Sequence, residues 1–246
     1  PAHGLGRCQG KNTFAGGLTK FGRNDLMTDQ PPLIDVAIPT CDRPELLRRA
    51  IASVRASTLT RWRMTISDDG RVKLGADFLK EFNDPRIQYR AHVATGMVHD
   101  NWDSACRAGT APYVFKLDDD DTIEPEFLKL TSTFLEKNPD VSVVYTGYTV
   151  LLNGREKKII DRHFFANRGT VSGLEYARAI LLNEDYPWTH KSAGVFRRKK
   201  ADDIQWYKFA RMDVTFSIAL AIGSCVGYLP EPLFNYYRRA ADQRDA

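Results

Sequence analysis

Short apolar segments, each followed by polar residues and then by a helical pattern, recur along the first half of the chain. Ile34 to Ile38 is a β-branched run that ends at Pro39, and Pro44 occupies the first position of a helical pattern. Further strands are predicted at residues 62–66, 87–90, 113–117 and 141–152, and further helices near 77–82, 98–108 and 125–137. Strands that alternate with helices form a mostly parallel sheet covered on both faces. We therefore predict an α/β fold with a Rossmann-like central sheet.

The chain divides by composition into an arm and a folded part. Residues 1–30 are rich in Gly, Thr and Asn and lack hydrophobic periodicity, so we predict an irregular N-terminal arm. The alternative is a segment that folds over the site or mediates a homodimer. Residues 31–150 carry the strand–helix alternation, and residues 151–246 are expected to form a smaller, second part of the same domain. A chain of 246 residues can form one such domain with a large core.

Composition excludes several classes of protein. The chain is 43% hydrophobic and 27% charged, which is an ordinary globular balance. No apolar run approaches the roughly 20 residues of a membrane-spanning helix, and no signal-peptide pattern is found, so we expect a soluble, cytoplasmic protein. The net charge of +4 is scattered; it does not indicate nucleic-acid binding, and it leaves open a peripheral contact with the inner membrane face. The cysteines match no zinc spacing and are expected to be reduced: Cys8, Cys41, Cys106 and Cys225.

Three of the predicted strands end in polar or acidic residues. These ends are Thr40-Cys41-Asp42, Asp68-Asp69 and the run from Asp118 to Asp121. In open α/β sheets, ligands bind outside the carboxyl ends of the strands. We therefore expect the three ends to lie on one edge of the sheet and to form one binding site.

The run Asp118 to Asp121 places four carboxylates side by side. Like charges at this spacing raise one another's pKa and destabilise the fold unless a counter-charge is present. Mn²⁺ or Mg²⁺ would supply it, since these ions bind one or two carboxylates and complete their shell with substrate phosphates. The alternative is a solvated cap at a helix N-terminus, a role that fits Asp121 best.

Taken in order, these motifs resemble the family 2 glycosyltransferases. The resemblance rests on residues 34–44, on Ser67-Asp68-Asp69-Gly70, on residues 109–113 and on Lys116 to Asp121 with Pro125. It is strong over residues 33–150 and looser over residues 170–240. It implies a GT-A type fold in which a nucleotide-sugar-binding part, residues 31–150, merges with an acceptor-binding part, residues 151–246. It also implies inverting transfer from a nucleotide-diphosphate sugar to a hydroxyl-bearing acceptor, whether saccharide, lipid-linked or small molecule.

The resemblance implies a role for each matching residue. For nucleotide binding these are Pro39, Thr40, Asp42 and Arg43 of the first loop, Asp68 and Asp69 beside the base, and Asp118 and Asp119 near the ribose. Asp120 matches the metal ligand, with Asp118 as its partner. Cys41 and Asp42 replace the frequent Tyr and Asn, and residues 94–102 depart from the commonest form. The base therefore stays open between uracil, thymine and guanine.

The general base is expected in the second half of the chain. An inverting transferase needs a group that takes the proton of the acceptor hydroxyl, and Asp213, before an apolar helix, resembles that group. An aspartate there is also a good helix cap. The rival candidates are Glu184, Asp185, Asp202 and Asp203. Candidates for the acceptor or the phosphates are Trp188, His190 and Arg238.

Two other functions share parts of this pattern. A sugar-nucleotide nucleotidyltransferase would also have acidic metal ligands, but it is expected to carry a glycine-rich loop after the first strand. Residues 39–44 contain no glycine. A non-catalytic metal- or sugar-binding module would bind ligand without turnover and would tolerate Asp213→Ala. A dinucleotide fingerprint is absent, so an oxidoreductase is not indicated.

Overall fold

The computed structural model describes residues 30–94, 96–153, 155–160, 169–182, 191–204 and 214–238. The strands in this part of the chain are β1 (Ile34–Thr40), β2 (Trp62–Asp68), β3 (Ile87–Ala91), β4 (Tyr113–Lys116), β5 (Thr122–Ile123), β6 (Val141–Leu152), β7 (Arg155–Ile160), β8 (Thr170–Ser172), β9 (Gly194–Arg197) and β10 (Cys225–Arg238). The helices are α1 (Pro44–Arg55), α2 (Gly75–Lys80), α3 (Val98–Arg107), α4 (Phe127–Lys137), α5 (Gly173–Leu182), α6 (Arg198–Asp203) and α7 (Val214–Ala221).

The described strands form one sheet in the order β3-β2-β1-β4-β9-β6-β10-β5, with β7 beside β6 and β8 beside β10. β1 is parallel to β2 and β4, β2 is parallel to β3, and β6 is parallel to β10. β9 lies between β4 and β6 and is antiparallel to both, so β4 and β6 point the same way. The predicted α/β fold with a mostly parallel central sheet is confirmed.

Helices cover both faces of this sheet, and strand β1 shows why. All seven residues of β1 are buried, as expected for a central strand of a covered parallel sheet. Ile34, Val36 and Ile38 belong to a core cluster that includes α1 and α4, whereas Ala37 belongs to a second cluster that includes α3, α5 and α7. Because successive side chains of a strand point to opposite faces, one strand supplies both cores.

Several details differ from the sequence-based predictions. Helix α4 begins at Phe127 rather than Pro125, and the two-residue strand β5, which was not predicted, pairs with β10. Asn153 has a φ of 49° where β6 turns into the antiparallel β7, as is typical of an asparagine in a hairpin turn. Cys41 and Cys106 are free thiols, but Cys225 is disulfide-bonded, so the expectation of reduced cysteines is wrong for Cys225.

None of the helices in the described ranges is long and apolar enough to cross a membrane.

A buried ion cluster fixes the amino end of the sheet. Asp35 of β1 is 5% exposed, and its Oδ1 accepts hydrogen bonds from Arg63 Nε and Nη2 at 3.1 and 2.9 Å. Its Oδ2 accepts from Arg198 Nη2 at 2.8 Å and from the backbone N–H of Ala111 at 2.7 Å. A Cβ at Gly109 would lie 2.0 Å from Asp35 Oδ2, so glycine is required there. The cluster joins β1, β2 and α6.

We predict that Asp35→Ala lowers the free energy of unfolding by about 3–5 kcal/mol, because it leaves Arg63 and Arg198 without their buried partner. Urea denaturation of both proteins measures this. Asp77→Ala is the matched control: the side chain of Asp77 is 91% exposed, and its ion pair with Lys80 should contribute less than about 1 kcal/mol. Equal stability of the two variants would contradict the structural role of Asp35.

Candidate active site

The carboxyl ends of β1, β2 and β4 meet at one edge of the sheet. The backbone N–H of Asp69, after β2, donates to the carbonyl of Thr40 at 3.0 Å. Thr40 Oγ1 in turn donates to Asp119 Oδ2, after β4, at 2.6 Å. The structure therefore brings together the three strand ends that the sequence placed on one edge.

The first three aspartates of the acidic run have basic partners or neighbours. Lys116 Nζ lies 2.6 Å from Asp118 Oδ1, and Ser192 Oγ donates to Asp118 Oδ2 at 2.5 Å. Arg43 bridges the next two, with Nη2 2.5 Å from Asp119 Oδ1 and Nη1 2.9 Å from Asp120 Oδ2. The counter-charge that the sequence argument assigned to a metal is thus supplied in part by the chain itself.

Burial separates Asp119 from Asp120. Asp119 is fully buried, and its Oδ1 forms the ion pair with Arg43 but no hydrogen bond to any described residue. Burial raises the pKa of Asp119 to about 6, against the opposing effects of Thr40 and Arg43. The side chain of Asp120 is 33% exposed, and its backbone carbonyl accepts from Arg49 Nη2 at 2.8 Å. Asp120 is therefore the better placed of the two to meet a ligand.

Asp121 is a buried residue rather than a helix cap, so that alternative is wrong. It is 2% exposed, and its Oδ1 accepts the backbone N–H of Tyr237 in β10 at 2.9 Å. The next helix, α4, is preceded by Glu126, which makes no capping hydrogen bond. Burial, with repulsion from Asp118 and Asp120, raises the pKa of Asp121 to about 8. Asp121 ties the acidic run to the last strand.

Asp68 and Asp69 have different surroundings. Asp68 accepts hydrogen bonds from the N–H groups of Gly70 and Leu74 and from the Tyr89 hydroxyl. These bonds fix the conformation of the loop that follows β2. Asp69 Oδ2 accepts the N–H of Gly96 at 3.0 Å, and Asp69 Oδ1 lies 3.5 Å from His92 Nδ1. The nucleotide role is therefore better suited to Asp69, whereas the contacts of Asp68 are structural.

The other predicted nucleotide residues lie around the first loop. Pro39 is buried within β1. Asp42 has a φ of 53°, and its carboxylate accepts from the Val72 N–H and from Arg71 Nε, both at 3.3 Å. Asp42 therefore joins the loops that follow β1 and β2, at the rim of the site.

The candidates of the second half are only partly described. Asp213, Trp188, His190, Glu184 and Asp185 lie outside the described residues. Arg238 ends β10, one residue after the Tyr237 that binds Asp121, so its backbone is close to the acidic run.

Asp202 and Asp203 are on the wrong edge of the sheet to act as the base. They belong to α6, which follows the antiparallel strand β9 and begins where the Arg198 N–H meets the Pro112 carbonyl, at the amino end of β4. The sequence could not show this, because nothing in it indicated that β9 runs against its neighbours.

Five residues of the site were not found from the sequence: Arg49, His92, Asn101, Lys116 and Ser192. Lys116 is the one with a usable signal, because it is a charged residue within an otherwise apolar strand, directly before the acidic run. Its Nζ also lies 3.9 Å from the Trp102 ring centroid. The others occupy loops and helices whose packing against the site depends on the tertiary fold.

Residues 35–205 match the model of Glycosyl transferase family 2, which is more than half of the chain. The chain belongs to this family. This is the family that the sequence motifs resemble. The match supports neither a nucleotidyltransferase nor a non-catalytic module.

Curated relatives agree with the family. Chondroitin synthase of Escherichia coli is 27% identical over 190 residues, which cover 65% of this chain and 28% of that protein. WcaA of Escherichia coli strain K12, named as a glycosyl transferase of colanic acid biosynthesis, is 31% identical over 159 residues, covering 64% of this chain and 57% of WcaA. The chain thus spans less than two thirds of the length of either relative.

Solved structures show the fold. TarS of S. aureus, residues 1–349, superposes with a TM-score of 0.68 at 16% identity, over 83% of this chain and 60% of that one. The same protein in complex with UDP-GlcNAc gives a TM-score of 0.66 at 17% identity, over 84% and 58% of the two chains. The predicted GT-A type fold is confirmed.

The raised pKa of Asp121 predicts how stability depends on pH. In the unfolded chain this carboxyl titrates near 3.8, against about 8 in the folded chain, so between these values the folded chain holds a proton that the unfolded chain has lost. The free energy of unfolding should therefore fall as pH rises through this window. Asn at position 121 keeps the oxygen that accepts the Tyr237 N–H but cannot ionise.

We expect Asp121→Asn to flatten this dependence and to be more stable than the wild type at about pH 9. Urea unfolding in EDTA from about pH 5 to about pH 9 measures it. Asp119 is present in both proteins, so its own titration cancels in the difference. Parallel stability curves for the two proteins would show that Asp121 does not titrate in this window.

Proposed function

We propose that this glycosyltransferase moves a sugar from a nucleotide-diphosphate donor to an acceptor hydroxyl, with inversion and with the help of Mn²⁺ or Mg²⁺. The observation that carries the proposal is the meeting of Thr40, Asp69 and the acidic run at one sheet edge of a family 2 chain. Ligands of such sheets bind at this edge. TarS, which shares the fold, has been solved with UDP-GlcNAc and with UDP.

The nucleobase of the donor would lie against Asp69. A carboxylate accepts hydrogen bonds and donates none when ionised, so it suits a base that presents an N–H group, as uracil, thymine and guanine do. Thr40 and Pro39 end β1 beside it, and Asp42 and Arg43 follow in the first loop. The TarS complexes with UDP-GlcNAc and UDP favour a UDP-sugar as the donor of this chain.

The acidic run has a donor set that fits a divalent cation. Among the residues that the structure describes, no group of three or more His, Cys, Asp or Glu side chains is arranged around a metal. Mg²⁺ and Mn²⁺ need only one or two carboxylates when phosphate oxygens complete the shell. Asp120, which is partly exposed, and Asp118 would hold the ion, with the buried Asp119 paired to Arg43 beside them. When bound, the ion would stabilise the charge of the departing diphosphate.

The chain itself holds these ligands in place. Arg43 fixes Asp119 and Asp120 to the loop after β1, and Lys116 with Ser192 fixes Asp118. Ser192 belongs to the second part of the chain, so that part contacts the donor site directly. In this proposal residues 31–150 bind the nucleotide sugar and residues 151–246 bind the acceptor, and Ser192 joins the two parts through Asp118.

Asp213 is proposed as the base that takes the proton of the acceptor hydroxyl while that oxygen attacks the anomeric carbon. The apolar helix that the sequence predicted after Asp213 is present as α7, Val214–Ala221. Trp188, His190 and Arg238 stay predictions for the acceptor and the phosphates. Peripheral membrane contact and a homodimer also stay predictions.

We predict that Asp120→Ala removes metal-dependent donor binding. Calorimetric titration of UDP with Mn²⁺ should show an affinity about 100-fold lower than that of the wild type and equal to the value in EDTA. Asp77→Ala, on the surface of α2, is the control and should bind as the wild type does. Equal affinity of the wild type and Asp120→Ala would refute the metal assignment.

A second variant separates binding from chemistry. Asp213→Asn should bind UDP with Mn²⁺ normally and lose turnover by about 10²–10⁴-fold, because Asn cannot take a proton. Release of the nucleotide from a donor sugar, with and without acceptor, measures the turnover. Asp202→Asn, on the opposite edge of the sheet, is the matched control and should keep full activity. Normal turnover of Asp213→Asn would exclude Asp213 as the base.

A further inference from the structure

A closed circuit of polar contacts surrounds Asp69. The Thr40 carbonyl accepts hydrogen bonds from the Asp69 N–H and from Asn101 Nδ2, both at 3.0 Å. Asn101 Oδ1 lies 3.2 Å from His92 Nε2, and His92 Nδ1 lies 3.5 Å from Asp69 Oδ1. Asn101 of α3 is 5% exposed and Asp69 is 4% exposed, whereas the side chain of His92 is 27% exposed.

The contacts fix the orientation of both side chains. A backbone carbonyl can only accept, so the Asn101 nitrogen must face Thr40 and the Asn101 oxygen must face His92. His92 Nε2 therefore carries a proton, which it donates to Asn101 Oδ1, with Ser67 Oγ also 3.1 Å away. The opposite ring nitrogen, Nδ1, then faces Asp69. Asn101 thus sets the ring of His92, and the ring borders the carboxylate of Asp69.

We propose that Asn101 and His92 are positioning residues that hold Asp69 for the nucleobase and thereby determine base selectivity. This inference rests on the proposed function, in which Asp69 accepts an N–H of the base. A carboxylate held in place favours uracil, which presents an N3–H, over cytosine, whose N3 is an acceptor and would be repelled. A carboxylate free to turn discriminates less. The diphosphate and the metal are bound elsewhere, by the acidic run.

The readout is the ratio of CDP to UDP dissociation constants, measured by calorimetry with Mn²⁺. Asn101→Ala and His92→Leu should each reduce this ratio about fivefold, since each removes the hydrogen bond from His92 Nε2 to Asn101 Oδ1 and a neutral hydrogen bond contributes a factor of that order. Affinity for inorganic pyrophosphate with Mn²⁺ should not change, because the base pocket does not contact it. A merely structural role would weaken all three ligands together.

Two matched controls change residues 92 and 93, in the loop that follows β3. His92→Gln keeps an N–H that can donate to Asn101 Oδ1 and should restore the ratio. Val93→Ala changes the next residue, which is 86% exposed, and should leave the ratio as in the wild type. Thermal melting verifies that each variant folds. His92 and Asn101 lie in different parts of the fold, so if one variant does not fold, the other still tests the proposal.

The outcomes separate this inference from the function on which it rests. Wild-type protein that binds none of UDP, dTDP, GDP and CDP would overturn the proposed function and this inference with it. A selective wild type whose ratio is unchanged in Asn101→Ala and His92→Leu would overturn this inference alone. A reduced ratio with unchanged pyrophosphate affinity supports it.

Discussion

The ion pairs of Arg43 with Asp119 and Asp120 hold the candidate site together. Burying a carboxylate such as Asp119 is costly, and the fold tolerates it because Arg43 and Thr40 approach it from the loop after β1. This interaction joins the end of β1 to the end of β4. The acidic run can therefore stay compact without a bound cation, and a metal would add to an existing charge network.

The parts of the fold that were predictable from the sequence are those with local signals. Strand β1 is a short segment rich in β-branched residues that follows Pro31-Pro32, and β6 ends at an Asn-Gly turn, so their positions follow from residue types alone. The meeting of Thr40, Asp69 and Asp119 followed from the rule that parallel strands end at one edge. No such rule places β9 between β4 and β6, because strand order depends on contacts far apart in the chain.

The same distinction explains which site residues were missed. Asp69 and Asp120 belong to short acidic motifs at the ends of predicted strands, so their shared sheet edge and the resemblance to the family marked them. His92 follows β3 in a loop, and Asn101 lies within α3; each reads as an ordinary surface residue until the fold brings them to Thr40 and Asp69. Residues that orient other side chains have no sequence motif of their own, because their role depends on three-dimensional distances that the sequence does not contain.

Both edges of the sheet bury an aspartate that is paired with arginine, but the two aspartates have different surroundings. At the amino edge, both oxygens of the buried Asp35 carboxylate accept hydrogen bonds, from two arginines and one backbone N–H. At the carboxyl edge, Arg43 Nη2 lies 2.5 Å from the buried Asp119 Oδ1 and Thr40 donates to Asp119 Oδ2, whereas the side chain of Asp120 is 33% exposed. A buried carboxylate whose acceptors are all occupied stabilises a fold, whereas a partly exposed carboxylate is accessible to a ligand. The exposure of Asp120 therefore distinguishes the carboxyl edge as the candidate functional edge.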